Sequence, residues 1–238
     1  MRSFVQIIFA VVFCFVIFHS NVQGHKGAGN SETFMGEVPQ SAKVSSTVPA
    51  KALTDDVKNS IATIRSFTGL TKDAFEAKMK SMGFAPAADE IGMSGQAYKS
   101  KTADYMLAVK YGTRGKSEFV REVYKGMVFA NPNFTTQKTT FLDLGKQCSD
   151  LKAKYSGGLV KGLNDLGNVN NLRTEADRTS KFLPAFDKLI STKDDGGAVD
   201  GYAEKDYEYI ITYRYTKAYS SAVIIIHIID KTLVSKVG

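Results

Sequence analysis

Tryptophan is absent from this chain of 238 residues, cysteine occurs twice and histidine three times. The lack of tryptophan speaks against the indole platforms on which many sugar-binding proteins stack their ligands. Scarce histidine and cysteine leave few ways to build a metal centre or an activated nucleophile. A second long apolar run is also missing. The first run, in "MRSFVQIIFAVVFCFVIFHSNVQG", has one charge (Arg2), then apolar residues from Phe4 to Phe18, then a polar exit.

Charge, apolar stretch and small residues in that order form a signal-peptide pattern over residues 1–24. The run falls short of the roughly 20 apolar residues of a membrane span. Bulky residues before Cys14 do not fit a lipid-anchoring box. Cleavage after Gly24 would leave His25 as the new N-terminus. The expected destination is secretion, extracellular or periplasmic, with no transmembrane segment in the mature chain. Losing Arg2 takes the 31 basic residues to 30 against 24 acidic ones, a net charge of +6. Cys148 is then the sole cysteine, so no intramolecular disulfide forms and the hydrophobic core must hold the fold.

Residues 25–50 are rich in Gly, Ser and Thr and read as a flexible leader, too poor in apolar surface to offset ordering entropy. Residues 51–238 read as an α+β globular region. Val57, Ile61, Ile64 and Phe67 form a helical stripe after a Thr54 cap. Phe75, Met79 and Met82 form a second, capped by Thr71 and stopped by Gly83. "DYMLAVKYG" and "EFVREVYKGMVF" alternate as a β-hairpin around "TRGKS". Phe141, Leu144, Cys148, Leu151 and Tyr155 mark a long helix with its stop at Gly157 and Gly158. A polar loop over 164–171 and a helix over 175–190 follow, with Pro184 as a kink or start. "STKDDGGAVDG" reads as a turn-rich link before a second hairpin, "YEYIITYRYT" and "SAVIIIHIIDKTLV". Runs of helices followed by runs of strands favour α+β over a doubly wound sheet. The expected fold is an antiparallel sheet of two β-hairpins packed against several amphipathic helices. Residues 53–129 and 139–234 are either two helix-plus-hairpin halves or parts of one mixed domain.

Six patterns carry candidate chemistry. His25 at a new N-terminus, with His227 and a tyrosine, is the ligand set of a copper brace, although His227 in "VIIIHIID" also suits a strand histidine. Cys148 with His227 as base would make a nucleophilic pair, but Cys148 lies on an apolar stripe where a thiol behaves as a small hydrophobe. Asp194, Asp195 and Asp200 lack the ligand alternation of a calcium loop and read as a turn. Lys99, Lys101, Lys110, Arg114 and Lys116, with Arg121 and Lys125, form a basic segment interleaved with aromatics, suited to anionic polymers or headgroups. Strict alternation sends Arg121 and Lys125 to the face of Phe119 and Val123. Tyr207, Tyr209, Tyr213 and Tyr215 share one strand face with Ile211, as either a ligand platform or a core wall. Asn133 in "NFT" is a glycosylation sequon in a eukaryotic host.

No cofactor is expected. These features indicate a secreted, non-catalytic binding protein that engages a protein or an anionic surface through basic and Tyr-rich strands. The alternatives are a secreted enzyme, using the copper set or a carboxylate site, and a host-directed effector. Export argues against nucleic acid as partner, and the residue pattern leaves the oligomeric state open.

Overall fold

The computed structural model describes residues 57–58, 60–162 and 169–235. Residues 1–56, where a signal peptide, a flexible leader, His25 and the Thr54 cap are expected, lie outside the described residues. The fold is α+β: helices cover one face of a single antiparallel sheet.

Ser60 accepts the Thr63 N–H and opens α1, Ile61–Arg65. Thr71 caps α2, Lys72–Ser81, and Asn133 caps α3, Phe134–Asp150. A further helical run consists of α4, Glu175–Asp177, a π segment, Arg178–Phe182, and α5, Leu183–Thr192. Pro184 stands in the first turn of α5, directly after the π segment. The α3 stripe ends earlier than its pattern suggests. Lys152 takes a positive φ of 65°, and Tyr155 already belongs to a strand.

The strands are β1 Phe84–Ala87, β2 Gln96–Ser100, β3 Tyr105–Arg114, β4 Ser117–Ala130 and β5 Lys154–Gly162. After them come β6 Val169–Leu172, β7 Gly196–Ala203, β8 Tyr207–Thr216, β9 Ser221–Asp230 and β10 Val234–Ser235. The order across the sheet is β1-β2-β3-β4-β9-β8-β7-β5-β6, with β10 on β3. The two expected hairpins are thus parts of two longer meanders. "GGAVDG", which reads as a link, is a strand instead. β4 and β9 join the halves into one sheet, from Glu122↔Ile229 to Ala130↔Ser221.

Alternation decides which side chains meet the helices. Along β8, Tyr209, Ile211, Tyr213 and Tyr215 are buried while Glu208, Ile210, Thr212, Arg214 and Thr216 are only half-buried. The buried set joins Ile224, Ile226 and Ile228 of β9 and Phe141, Phe182 and Phe186 of the helices in the main core. Burying each such aliphatic or aromatic side chain contributes about 1.5–3 kcal/mol. On the other face, Ile91 and Met93 from the loop between β1 and β2 cover Ala97, Met106, Ala108, Tyr124 and Ile225. Asp89 shapes that loop by accepting the backbone N–H groups of Ile91, Gly92 and Ser94.

Candidate functional site

A dense polar cluster lies on the helix-free face, where β4 meets β9. Val120 and Val123 of β4 both enter the helix-side core although they are three residues apart. A β-bulge explains this: Lys110 pairs with Glu122 and Tyr111 with Val120, so Arg121 is the extra residue. A bulge resets the side-chain phase of its strand. The strict alternation that groups Arg121 with Val123 therefore fails, whereas Lys125 does fall on the helix side.

Past the bulge, Glu122 and Tyr124 share the helix-free face with His227, the register partner of Tyr124. Glu122 Oε2 accepts from Tyr124 Oη at 2.7 Å and lies 3.0 Å from His227 Nε2. Its other oxygen takes the Arg121 guanidinium, and Lys110 Nζ stands 3.6 Å away. The Tyr124 and His227 rings stack at 3.9 Å. Because an ionised carboxylate only accepts, His227 carries its proton on Nε2 and keeps Nδ1 as an acceptor. Burial opposes the Glu122 charge, but hydrogen bonds from His227 and Tyr124 and the nearby cations outweigh it, holding the carboxyl at about 2. Burial pushes His227 below the ordinary imidazole range, against the pull of Glu122. Burial, then the Glu122 charge, pushes the Tyr124 phenol up. At neutral pH the cluster holds a carboxylate, a neutral imidazole and a neutral phenol, saturated largely by one another.

The nucleophilic pairing of Cys148 with His227 is not assembled here. Cys148 is fully buried in the helix-side core, whereas His227 projects from the opposite face between Ile226 and Ile228. The sheet separates the two, so no nucleophilic pair forms. Burial also pushes the Cys148 thiol up, away from thiolate. His227 Nε2 is engaged with Glu122, and no group of three His, Cys, Asp or Glu side chains among the described residues could hold a metal ion. Since His25 lies outside the described residues, the copper set is represented here by His227 alone.

The basic segment does not converge on one patch. Lys99 pairs with Glu90 at 2.8 Å and Lys110 with Glu122. Lys101 sits in the turn before β3, whereas Arg114 and Lys116 sit at its far end. Ten residues of strand separate the ends by roughly 30 Å. Arg114 lies over the Phe119 ring and bonds Thr232, and buried Lys125 donates to the Lys58 carbonyl. Burial lowers the Lys125 amine to about 8.

The tyrosine stripe offers no open platform, because helices lie over it. Tyr213 packs edge-on against Phe186 at 5.5 Å and Tyr215 against Phe134 at 5.0 Å. Tyr209 bonds Arg65 at 2.8 Å, and half-buried Tyr207 lies under the same guanidinium. The three aspartates diverge: Asp194 pairs with Lys217, Asp195 caps the Lys217 N–H, and Asp200 is buried against Arg178. Asn133 is exposed, with its Oδ1 accepting the Thr136 N–H.

Beyond the Glu122 cluster the helix-free face continues over β9, β8, β7 and β5. Leu159, Val199, Ile210 and Ile229 are half-buried there and join neither core cluster. Val128 at its margin is 48% exposed. Sequence reasoning missed Glu122, Tyr124 and this apolar field. The consecutive polar pair Arg121–Glu122 between valines was the available signal of the bulge.

No helix among the described residues is long and apolar enough to cross a membrane. No protein-family model, curated protein or solved structure matches this chain.

Proposed function

We propose that this chain is an exported binding protein that contacts a protein partner through the helix-free face of β5, β7, β8 and β9. The observation that carries the reading is the aliphatic set Leu159, Val199, Ile210 and Ile229 on that face. A solvent-facing side of an antiparallel sheet is ordinarily polar, and contiguous exposed apolar surface marks interaction sites. The equivalent face of β2, β3 and β4, together with Ile225 of β9, is covered by Ile91 and Met93 from within the chain. A protein partner fits better than an anionic polymer, because Lys99 and Lys110 are already paired and Lys101 and Lys116 stand at opposite ends of β3. The signal-peptide pattern of residues 1–24 supports export.

A benzophenone amino acid placed at Thr212, in the middle of this face, tests the contact. Lys146, exposed on α3, provides the control position. Illumination of the chain in its producing host should give protein adducts from position 212 and none from 146. Equal adducts from both positions, or none from 212, would remove the reading. Adducts to acidic polysaccharide, lost with added salt, would move it to the anionic alternative.

A further inference from the structure

The loop between β1 and β2 folds back over the helix-free face, and its attachment there is narrow. A single carboxylate shapes it: Asp89 Oδ1 accepts the N–H groups of Ile91 and Gly92, and Oδ2 accepts that of Ser94. Among the described residues, no backbone hydrogen bond ties residues 88–94 to a strand. Glu90 reaches Lys99 of β2 at 2.8 Å, but the pair is exposed, and such pairs hold weakly. Ile91 and Met93, both buried, supply the rest of the hold.

The floor beneath these two side chains is built from small residues. A Cβ on Gly126 of β4 would collide with Ile91 Cδ1 and lie 3.0 Å from Met93 Sδ. Ala97 of β2 and Ala108 of β3 stand level with one another in the same cluster. Gly126 is flanked in register by Met106 and Ile225, and Ile225 is level with Thr212 of β8. Half-buried Val223 packs against the edge of the cluster. The floor thus runs on into the face of β9 and β8. Where the loop enters β2, Gly95 has a φ of 114°, a conformation glycine enters freely, and such positions serve as hinges.

We infer that residues 88–95 form a lid that lifts from the sheet while the rest of the chain stays folded, and that the floor it bares extends the partner-binding face. Segments held by few buried contacts open at less cost than global unfolding. The opening stands on the loop alone, whereas the extension rests on the contact face proposed above. An apolar segment of the protein partner takes the lid's place. The lid itself shows the chemistry that fits over Gly126 and Ala108: an aliphatic side chain and a thioether two residues apart.

Hydrogen peroxide tests the opening, because it passes one oxygen to an accessible thioether and leaves a sulfoxide and water. Met93 belongs to the lid and Met106 to the floor, while Met79 in the helix-side core is the internal control. Peptide mass spectrometry of the folded chain should give an initial rate at Met93 at least about tenfold above that at Met79. Equal rates, set by global unfolding, overturn the lid. Gly126→Ala, which wedges against Ile91, should speed Met93 and Met106 by about tenfold more and leave Met79 as it was. Asp89→Ala, which removes the loop's own acceptor without touching the floor, should do the same. An unchanged Met93 rate in both variants, or an equal rise at Met79, overturns the lid. The benzophenone at Thr212 reads the extension, and its protein adducts should increase in Gly126→Ala. An unchanged yield overturns the extension and leaves the lid standing. Absence of adducts with and without the substitution removes the contact face and the extension with it, whatever the peroxide rates.

Discussion

His227 Nε2 lies 3.0 Å from Glu122 Oε2, and the two residues are 105 positions apart in the chain. Both groups are held below their ordinary pKa, which gives the fold a defined response to acid. A neutral buried imidazole favours the folded state only while the unfolded chain is also unprotonated there. Its contribution is therefore full above the ordinary value of 6.5 and declines as pH falls through it. The Glu122 contribution is full above 4.5 and is lost as pH falls toward about 2. That shift corresponds to up to about 3 kcal/mol. Urea unfolding at pH 7.5, 5.5 and 3 should show both declines. Glu122→Gln should flatten the lower one, and an unchanged acid limb would contradict the carboxylate's role.

The second buried ion pair supports a stability prediction. Arg178 in the π segment donates to Asp200 Oδ2 from Nε at 3.1 Å and from Nη2 at 3.0 Å, and Tyr202 Oη adds a bond at 3.0 Å. Asp200 is fully buried, and burial raises its pKa against the pull of Arg178. Arg178→Ala should cost about 3–5 kcal/mol, because it strands a buried carboxylate. Arg178→Ala combined with Asp200→Asn should cost less than the sum of the single variants. Denaturant unfolding of the four-member cycle measures the coupling, and strict additivity would rule it out.

Gly145 stands inside α3, where alanine ordinarily improves a helix by about 1 kcal/mol. Here a Cβ would lie 2.6 Å from Tyr202 Oη and 3.3 Å from Arg178 Nη2. Gly145→Ala should therefore destabilise the protein, opposite in sign to its helix propensity. A rise in melting temperature would show that the Tyr202 ring yields freely.

Two tyrosines of one strand face should respond oppositely to loss of their hydroxyls. Tyr213 Oη is buried with no hydrogen-bond partner among the described residues. Tyr209 Oη bonds both Arg65 and Glu204. Tyr213→Phe should leave stability unchanged or raise it by up to about 1 kcal/mol, whereas Tyr209→Phe should lower it by about 1–2 kcal/mol. Thermal unfolding of both variants decides the matter, and equal effects would sink the assignment.

Cys148 is fully buried, and burial raises its thiol pKa. Its reaction with a disulfide reagent at pH 8 should follow the unfolding rate in buffer and become rapid in denaturant. Fast labelling of the native chain would show that α3 opens locally.

Short-range pattern carried much of this fold. The Phe141, Leu144 and Cys148 stripe of α3, and the buried Tyr209, Ile211, Tyr213 and Tyr215 of β8, are readable because one period fixes one face. β7 was not readable. Its sequence, with glycines at 196, 197 and 201 and an aspartate at 200, has low strand propensity, and pairing with β5 and β8 holds it extended. Asp200 tolerates its place there only because Arg178, 22 residues earlier, reaches it.

By itself, the sequence determined the α+β class, the helix stripes and the in-and-out order of β8. These depend on neighbours within one or two turns or strand repeats. Tertiary structure alone decided that β4 joins β9, that a bulge at Arg121 turns Glu122 toward His227, and that helices cover one face while an aliphatic field remains on the other. Those outcomes depend on pairing between segments about a hundred residues apart, and local periodicity carries no information about which strands become neighbours.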